Sequence, residues 1–424
     1  PAFKKKIYRN LVFSYKLTGT EICLLLFDQG VLEYNIDEIS MLKNGNKSAY
    51  QFIRDKISTL VITPAMLALE PYSGSVVVTD VNTGDVLAMV TYPSYDNNKM
   101  ANKVDPNYFN QLRNDRTDPF LNRPVQQKIA PGSTFKMVSA TAVLEEGVVT
   151  PYEKILDLGE FTKINPPAKC HIHPGSHGSV DIVDALKVSC NYYFYETAYR
   201  MSIDSTGTFN EQLGLEKLAK YASMYGLDST SGVELPEYEP SVSNQDSIRS
   251  SIGQGTNGYT AAQISKYITT IANRGKSFNL TLLDRILDKD GKIIVNNRAK
   301  VDKELSNIKD STWDKIQEGM YAVVNESRGS VFNLFKDLGV TVAAKTGTSQ
   351  ISKVVPNNAL FVSYAPYEAP EISVTSIIPN GHTSGNAAEL SRDIYKLYFN
   401  LEDHEKLVDG EATSPENDVR AISD

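Results

Sequence analysis

The 424-residue chain has three cysteines, one tryptophan and no long hydrophobic run. Thiols at Cys23, Cys170 and Cys190 are too few, and odd in number, for a disulfide scaffold, so any special role must come from their positions. The longest strongly apolar stretch, Ile22 to Phe27, is far below the ~20 residues that a membrane helix needs. An excess of one charge is missing too. The formal net charge is −8, but the segment from Glu402 to Asp424, with eight acids and two bases, accounts for −6 of it. A near-neutral body offers no electrostatic footprint for nucleic acid. With 41% hydrophobic and 22% charged residues, the composition also excludes disorder, collagen-like repeats and coiled coil as the main theme.

What remains is enough chain for roughly two to four structural units. Residues 1–72 read as the remnant of an upstream N-terminal region and a linker. The first 20 carry five bases and no acid, and only 49–60 has a helical pattern. The chain begins at Pro1, without an initiator Met, so an upstream membrane anchor is expected. From Ser73 the pattern sharpens. Val76-Val77-Val78 and Val86 to Val90 flank Asn82-Thr83-Gly84-Asp85, which predicts a hairpin. Pro131-Gly132 opens a helix that closes at Gly147. A second helix is predicted over 260–273, where Thr260 and Gln263 make a capping box. Strands are expected at 340–346, 359–365 and 372–378. A last helix follows, with Leu390, Ile394, Leu397 and Leu401 on its buried side. The result is one mixed domain over 73–401, whose sheet takes strands from both ends of the chain. The acidic tail, 402–424, has no aromatic residue and is expected to be disordered.

Three short motifs carry the chemistry. Ser-x-x-Lys and Ser-x-Asn each occur three times, and Lys-Thr-Gly occurs once, at Lys345-Thr346-Gly347. Most Ser-x-x-Lys matches are solvated helix faces. Ser133-Thr134-Phe135-Lys136 differs because Pro131-Gly132 sets Ser133 at a helix start, where backbone N–H groups favour developing negative charge. Lys136, at i+3, lies on the same face, within reach of the Ser133 hydroxyl. To act as a base its amine must be neutral. Against a reference pKa of ~10.4 that needs about 4 kcal/mol of differential stabilisation, from burial and a second cation. Lys345 is the candidate cation. Gly347 leaves room for close backbone approach at a strand end, and Lys345, Thr346 and Thr348 suit a substrate carboxylate.

Together with Ser189-Cys190-Asn191, these motifs resemble the signatures of the penicillin-binding proteins, and stand in that family's order. Thr91 to Asp96, Gly253-Gln254-Gly255 and Ala272 to Gly275 add to the likeness, which covers about residues 73–401 and is strongest to the class B, transpeptidase-only branch. The resemblance implies an α+β fold: a five-stranded antiparallel sheet flanked by helices, with an all-helical subdomain. It implies Ser133 as acylated nucleophile, Lys136 as general base and Ser189 as proton relay to the leaving amine. Asn191 would hold the substrate amide, Lys345, Thr346 and Thr348 the terminal carboxylate, and the N–H groups of Ser133 and Thr348 the oxyanion. The implied enzyme is a serine D-Ala–D-Ala transpeptidase acting on peptidoglycan stem peptides and acylated by β-lactams. No cofactor is required. It would work beside a glycosyltransferase and other cell-wall assembly proteins, on the outer face of the bacterial cytoplasmic membrane. A β-lactam-binding sensor, a serine β-lactamase and a metal hydrolase stay open as alternatives.

The metal alternative rests on Cys170-His171-Ile172-His173-Pro174-Gly175-Ser176-His177, which holds three of the five histidines. Cys170-x2-His173-x3-His177 suits a tetrahedral structural zinc on a turn, with Asp157 as the expected fourth ligand and His171 or Cys190 as alternatives. A metal-free loop is the competing reading.

Overall fold

The computed structural model describes residues 17–59, 61–62, 73–297, 299–350, 355–403 and 407. The chain divides at Ser73 into two units. The first contains helices α1 (Gly19–Asp28), α2 (Ile36–Lys43) and α3 (Ala49–Ser58), where the sequence pattern showed only the last. Thr18 and Ser48 close capping boxes on α1 and α3, and Asn35 caps α2. Cys23, Phe27, Leu42 and Phe52 form a small core of their own. This part of 1–72 is therefore a packed helical cluster rather than linker.

In the second unit, β1 (Gly74–Asp80) and β2 (Val86–Tyr92) form the expected hairpin. Asp80 Oδ1 accepts from the N–H groups of Asn82 and Thr83 and so shapes its turn. The middle of the chain contributes α4 (Lys136–Glu145), β3 (Ile155–Asp157), β4 (Ala168–Lys169), β5 (Gly178–Val180), α5 (Ile182–Lys187), α6 (Asn191–Met201), α7 (Ala261–Ala272) and α8 (Asp310–Asn325). Strands β6 (Ala343–Ser349), β7 (Asn358–Ala365) and β8 (Ile372–Ile378) then complete the sheet, and α9 (Ser384–Tyr398) closes the fold. The sheet order is β6-β7-β8-β1-β2, antiparallel throughout. Both ends of the chain supply its strands, as the pattern required.

Alternation along β1 sends Val77 to one core and Val76 and Val78 to the other. The first core holds α4 and α7. Helix α7 is buried on all sides, and its Ser265 and Thr269 hydroxyls meet Thr79 and Ser373 of the sheet at 2.6 and 2.8 Å. The second core holds α9, and here the sequence expectation holds only for Ile394, which packs against it. Leu390, Leu397 and Leu401 are 39–45% exposed, while Ala387, Ala388, Ser391 and Tyr395 are buried. Small residues let the helix approach the sheet, and two buried hydroxyl contacts hold it: Ser391 to Ser376 and Tyr395 to Ser363, each 2.8 Å. A count of leucines cannot detect that kind of face.

The motif strand also departs from expectation. β6 runs from Ala343 to Ser349, so Lys345 to Thr348 lie inside the strand, paired in register with Val362 to Ala359 of β7. All of 404–424 except Leu407, and so nearly the whole acidic tail, lies outside the described residues.

Candidate active site

Ser133 sits in a single 3-10 turn, Gly132–Phe135, which runs directly into α4, with Lys136 as its first residue. Two glycines bring this turn against the sheet. Gly132 has φ +53°, and a Cβ there would meet the Thr348 carbonyl oxygen at 2.6 Å. A Cβ on Gly347 would lie 2.7 Å from the Thr134 methyl and 3.0 Å from the Pro131 oxygen. The edge strand thus lies flush against the nucleophile turn. The Gly132 N–H also donates to the Gly253 carbonyl at 3.1 Å, tying in the third loop that the sequence singled out.

Lys136 is fully buried. Its Nζ donates to the Ser189 carbonyl at 2.7 Å, to Ser189 Oγ at 3.1 Å and to Asn191 Oδ1 at 2.7 Å. Lys345, also fully buried, donates to the same Ser189 Oγ at 2.9 Å, and to the Thr346 carbonyl and hydroxyl at 3.1 and 3.4 Å. The three motifs therefore meet at one hydroxyl bridging two amines, with Ser189 156 positions from Lys345. Ser189 adopts φ +54°, a left-handed conformation unusual outside glycine, between the end of α5 and the start of α6. Cys190 is the N-cap of α6: its Sγ accepts from the Tyr193 N–H at 3.4 Å, leaving Asn191 to lead the helix. Ser133, Asn191, Gln254 and Thr348 line a cavity of about 430 Å³. Thr346 lies behind it, with its hydroxyl 3.1 Å from that of Ser330, a residue the sequence did not single out. Nothing local marks Ser330, because its partner is 16 positions away on another element.

Such an arrangement supports nucleophilic chemistry. It offers a hydroxyl at a helix start, a buried amine three residues on, and a second amine joined to the first through one oxygen. Ser133 and Thr348, whose N–H groups are the expected oxyanion donors, both line the cavity.

The candidate metal ligands form a separate cluster behind α6. Asp157, Cys170, His177 and Cys190 place one donor atom each within 4.8 Å of all the others. Asp157 Oδ2 lies 2.8 Å from His177 Nδ1 and 3.5 Å from Cys190 Sγ, and Cys170 Sγ lies 3.5 Å from His177 Nδ1. His173, expected as a ligand, is not in this group, and Cys190, named as an alternative, takes its place. Two tight turns, His173 N–H to the Cys170 oxygen and Gly175 N–H to the Ile172 oxygen, carry His173 out of the cluster. Cys190 enters because the α6 cap points its sulfur back at Asp157. Burial opposes protonation of His177, but hydrogen bonds to the Asp157 carboxylate and Cys170 overcome it and raise its pKa to about 9. The contact with Cys190, followed by those with His171 and His177, drives the Cys170 thiol well down, and the same contact with burial drives Cys190 up. Tetrahedral ligands at ~2.0–2.3 Å from zinc stand ~3.3–3.8 Å apart. Two of the three contacts already match, and the His177–Asp157 hydrogen bond would have to open by about half an ångström. The donor set fits zinc.

A family model described as the penicillin-binding protein transpeptidase domain matches residues 74–396. Peptidoglycan D,D-transpeptidase MrdA of Haemophilus influenzae is 30% identical over 364 residues, or 78% of this chain and 54% of the relative. The chain thus spans about half the length of the curated relatives it matches. PBP2 of Pseudomonas aeruginosa, solved in complex with WCK 5153, has a TM-score of 0.68 at 26% identity, covering 82% of this chain and 78% of that one. Penicillin-binding protein A of M. tuberculosis, solved as a ceftriaxone acyl-enzyme, gives 0.65 at 25% identity, covering 78% and 74%. The matched span begins at β1, ends within α9 and contains every residue that meets at the Ser133 cavity, so this chain belongs to the penicillin-binding protein transpeptidase family.

Proposed function

We propose that this chain is a serine D,D-transpeptidase that cross-links peptidoglycan stem peptides and is acylated by β-lactams at Ser133. The observation that carries this reading is the buried Lys136–Ser189–Lys345 chain beside Ser133. Ser133 Oγ attacks the carbonyl of the penultimate D-Ala as Lys136 takes its proton. In the neutral form this needs, Lys136 keeps its two shorter donations, to the Ser189 carbonyl and Asn191 Oδ1, and turns its lone pair to Ser133. The tetrahedral oxyanion is held by the N–H groups of Ser133 and Thr348. Collapse breaks the amide bond, and the departing D-Ala amine takes a proton through Ser189, leaving an acyl ester on Ser133. An amine from a second stem peptide then attacks the ester and restores the free hydroxyl. Lys345 stays an ammonium throughout. It holds the terminal carboxylate together with Thr346 and Thr348, and its charge beside Ser189 opposes a second charge on Lys136.

Zinc at Asp157, Cys170, His177 and Cys190 is part of the same reading. A bound ion would supply structural bracing rather than chemistry. Cys190 directly follows Ser189, and the four residues would fix the start of α6, which presents Asn191 to Lys136. A glycosyltransferase and other cell-wall assembly proteins are the proposed partners, at the outer face of the cytoplasmic membrane. Among the described residues no helix is long and apolar enough to cross a membrane.

Intact-mass labelling tests the central claim. Benzylpenicillin should add one adduct per chain, and Ser133→Ala should abolish it. An adduct that persists in Ser133→Ala would put the nucleophile elsewhere. Stable acylation with no turnover of a D-Ala–D-Ala substrate would favour a sensor, and rapid release of hydrolysed penicillin a β-lactamase.

A further inference from the structure

Among the described residues, those that line the Ser133 cavity include two cations, Lys169 and Arg249, and no carboxylate. Neither cation belongs to the three motifs, and the mechanism above uses neither. Lys169 ends β4, and Arg249 lies in the helical turn Ser247–Ser250. They come to the cavity from elements other than β6, the strand that carries Lys345 and Thr346.

Arg249 is held in place rather than free to wander. Its Nη1 donates to Asp246 Oδ2 at 2.7 Å and its Nη2 to the Pro166 carbonyl at 2.9 Å, with about a third of the side chain exposed. Lys169 has Glu160 at 3.9 Å, beyond hydrogen-bond distance, and its side chain is 59% exposed. Both acids stand outside the cavity lining, so each pair presents its positive end to the cavity. A planar guanidinium fixed on two sides and a largely exposed ammonium make a pair suited to a carboxylate.

We propose that Lys169 and Arg249 form an anion subsite for a second carboxylate of the donor peptide, carried on the side chain of the residue that precedes the D-Ala–D-Ala pair. This rests on the transpeptidase reading. There, the terminal carboxylate is taken by Lys345, Thr346 and Thr348, so the part of the donor upstream of the bond must leave along another wall. The wall with two cations selects an acidic side chain over its amide. The enzyme thereby distinguishes donors bearing a free side-chain carboxylate from those whose carboxylate is amidated.

The test uses two matched peptides ending in D-Ala–D-Ala, one with a free carboxylate on the preceding residue and one with a carboxamide. Each is titrated as a competitor of Ser133 acylation by a fluorescent penicillin, and the ratio of half-protecting concentrations is read. The acid should protect at roughly tenfold lower concentration at low salt, as expected for charge-assisted contacts at part-exposed sites. The advantage should shrink as salt rises. Lys169→Gln with Arg249→Gln should bring the ratio near one, while Lys169→Arg should keep most of it. Arg249 also ties Asp246 to residue 166, so its loss could unfold the turn. Lys169→Gln alone, at an exposed position, should still cut the ratio to roughly a third. A ratio near one in the unaltered protein, a ratio untouched by Lys169→Gln, or no protection by either peptide overturns the subsite. Penicillin labelling of Ser133 in the same samples separates the two claims: label without selectivity defeats the subsite alone, and absence of label defeats the transpeptidase reading.

Discussion

Replacing Ser189 with alanine removes one oxygen that two buried amines share. Lys136 keeps the Ser189 carbonyl and Asn191, and Lys345 keeps the Thr346 carbonyl and hydroxyl, so neither amine is stripped of partners. Losing a hydrogen bond to a charged buried group costs about 1.5–3 kcal/mol. Alanine at φ +54° is no easier to hold than serine, since a Cβ in the left-handed region costs roughly 1–2 kcal/mol. Glycine is free of that cost, so Ser189→Gly should recover about 1 kcal/mol relative to Ser189→Ala while still lacking the hydroxyl. The catalytic loss is of a different size. A proton relay contributes ~10²–10⁴-fold, and both variants should lose it equally. The assay therefore has two axes: urea unfolding followed by tryptophan fluorescence at Trp313, and the second-order rate of Ser133 acylation by benzylpenicillin. Trp313 reports from within the second unit, in the same core as α6. Stability should rank wild type above glycine above alanine, while the rate should fall by about the same factor in both. If Ser189→Gly recovers rate along with stability, the hydroxyl acts by packing and the relay is wrong. A rate within tenfold of wild type in both variants refutes it as well.

The edge strand gives a second expectation: Gly347→Ala must push β6 from the Thr134 methyl, costing about 1–3 kcal/mol, and should slow acylation by roughly 10²-fold through misplacement. Elemental analysis should find about one zinc per chain, lost in Cys170→Ser, with chelation lowering the melting temperature while penicillin still labels Ser133; a metal-free protein indifferent to chelator defeats the site. In chelated protein the raised pKa of His177 and the lowered pKa of Cys170 set opposite slopes. Stability should climb with pH up to about 6.5, where the unfolded chain holds a thiol proton that folded Cys170 lacks, and stay level to about 8.5 while the loss from His177 cancels that gain. It should drop above that, where the unfolded thiols ionise while folded His177, up to about 9, and Cys190 keep their protons. A melting temperature that is flat from pH 5 to 10 in chelated protein rules out that charged pair. On α9, Leu397→Ser should change stability by less than about 0.5 kcal/mol, whereas Ala388→Leu should cost about 1–3 kcal/mol; the reverse order would mean that the leucine face is the buried one.

Local chemistry explains what could be read from the sequence of this protein. A capping box at Thr260 and Gln263, an aspartate that folds its own turn at Asp80, and β-rich runs at 359–365 and 372–378 act over a few residues. Their outcome scarcely depends on the rest of the chain. The motif context of Ser133 belongs to the same class, because Pro131-Gly132 before a helical run sets the turn by itself. Pairings across long separations did not follow from sequence. Which face of α9 is buried depended on whether the sheet offered hydroxyls, Ser363 and Ser376, to Tyr395 and Ser391, and a hydrophobic count favoured the wrong side. His173 had suitable spacing but was turned away, while Cys190 joined the metal cluster because a helix cap aimed its sulfur. Two small helices in 1–72 went unread since Ile22 to Phe27 is an unbroken apolar run without helical spacing, and their core is shared among three elements. The meeting of Lys136 and Lys345 at the Ser189 hydroxyl, and of Lys169 and Arg249 at the Ser133 cavity, was decided by the tertiary fold alone, because residues so far apart in sequence are brought together only by the packing of separate elements.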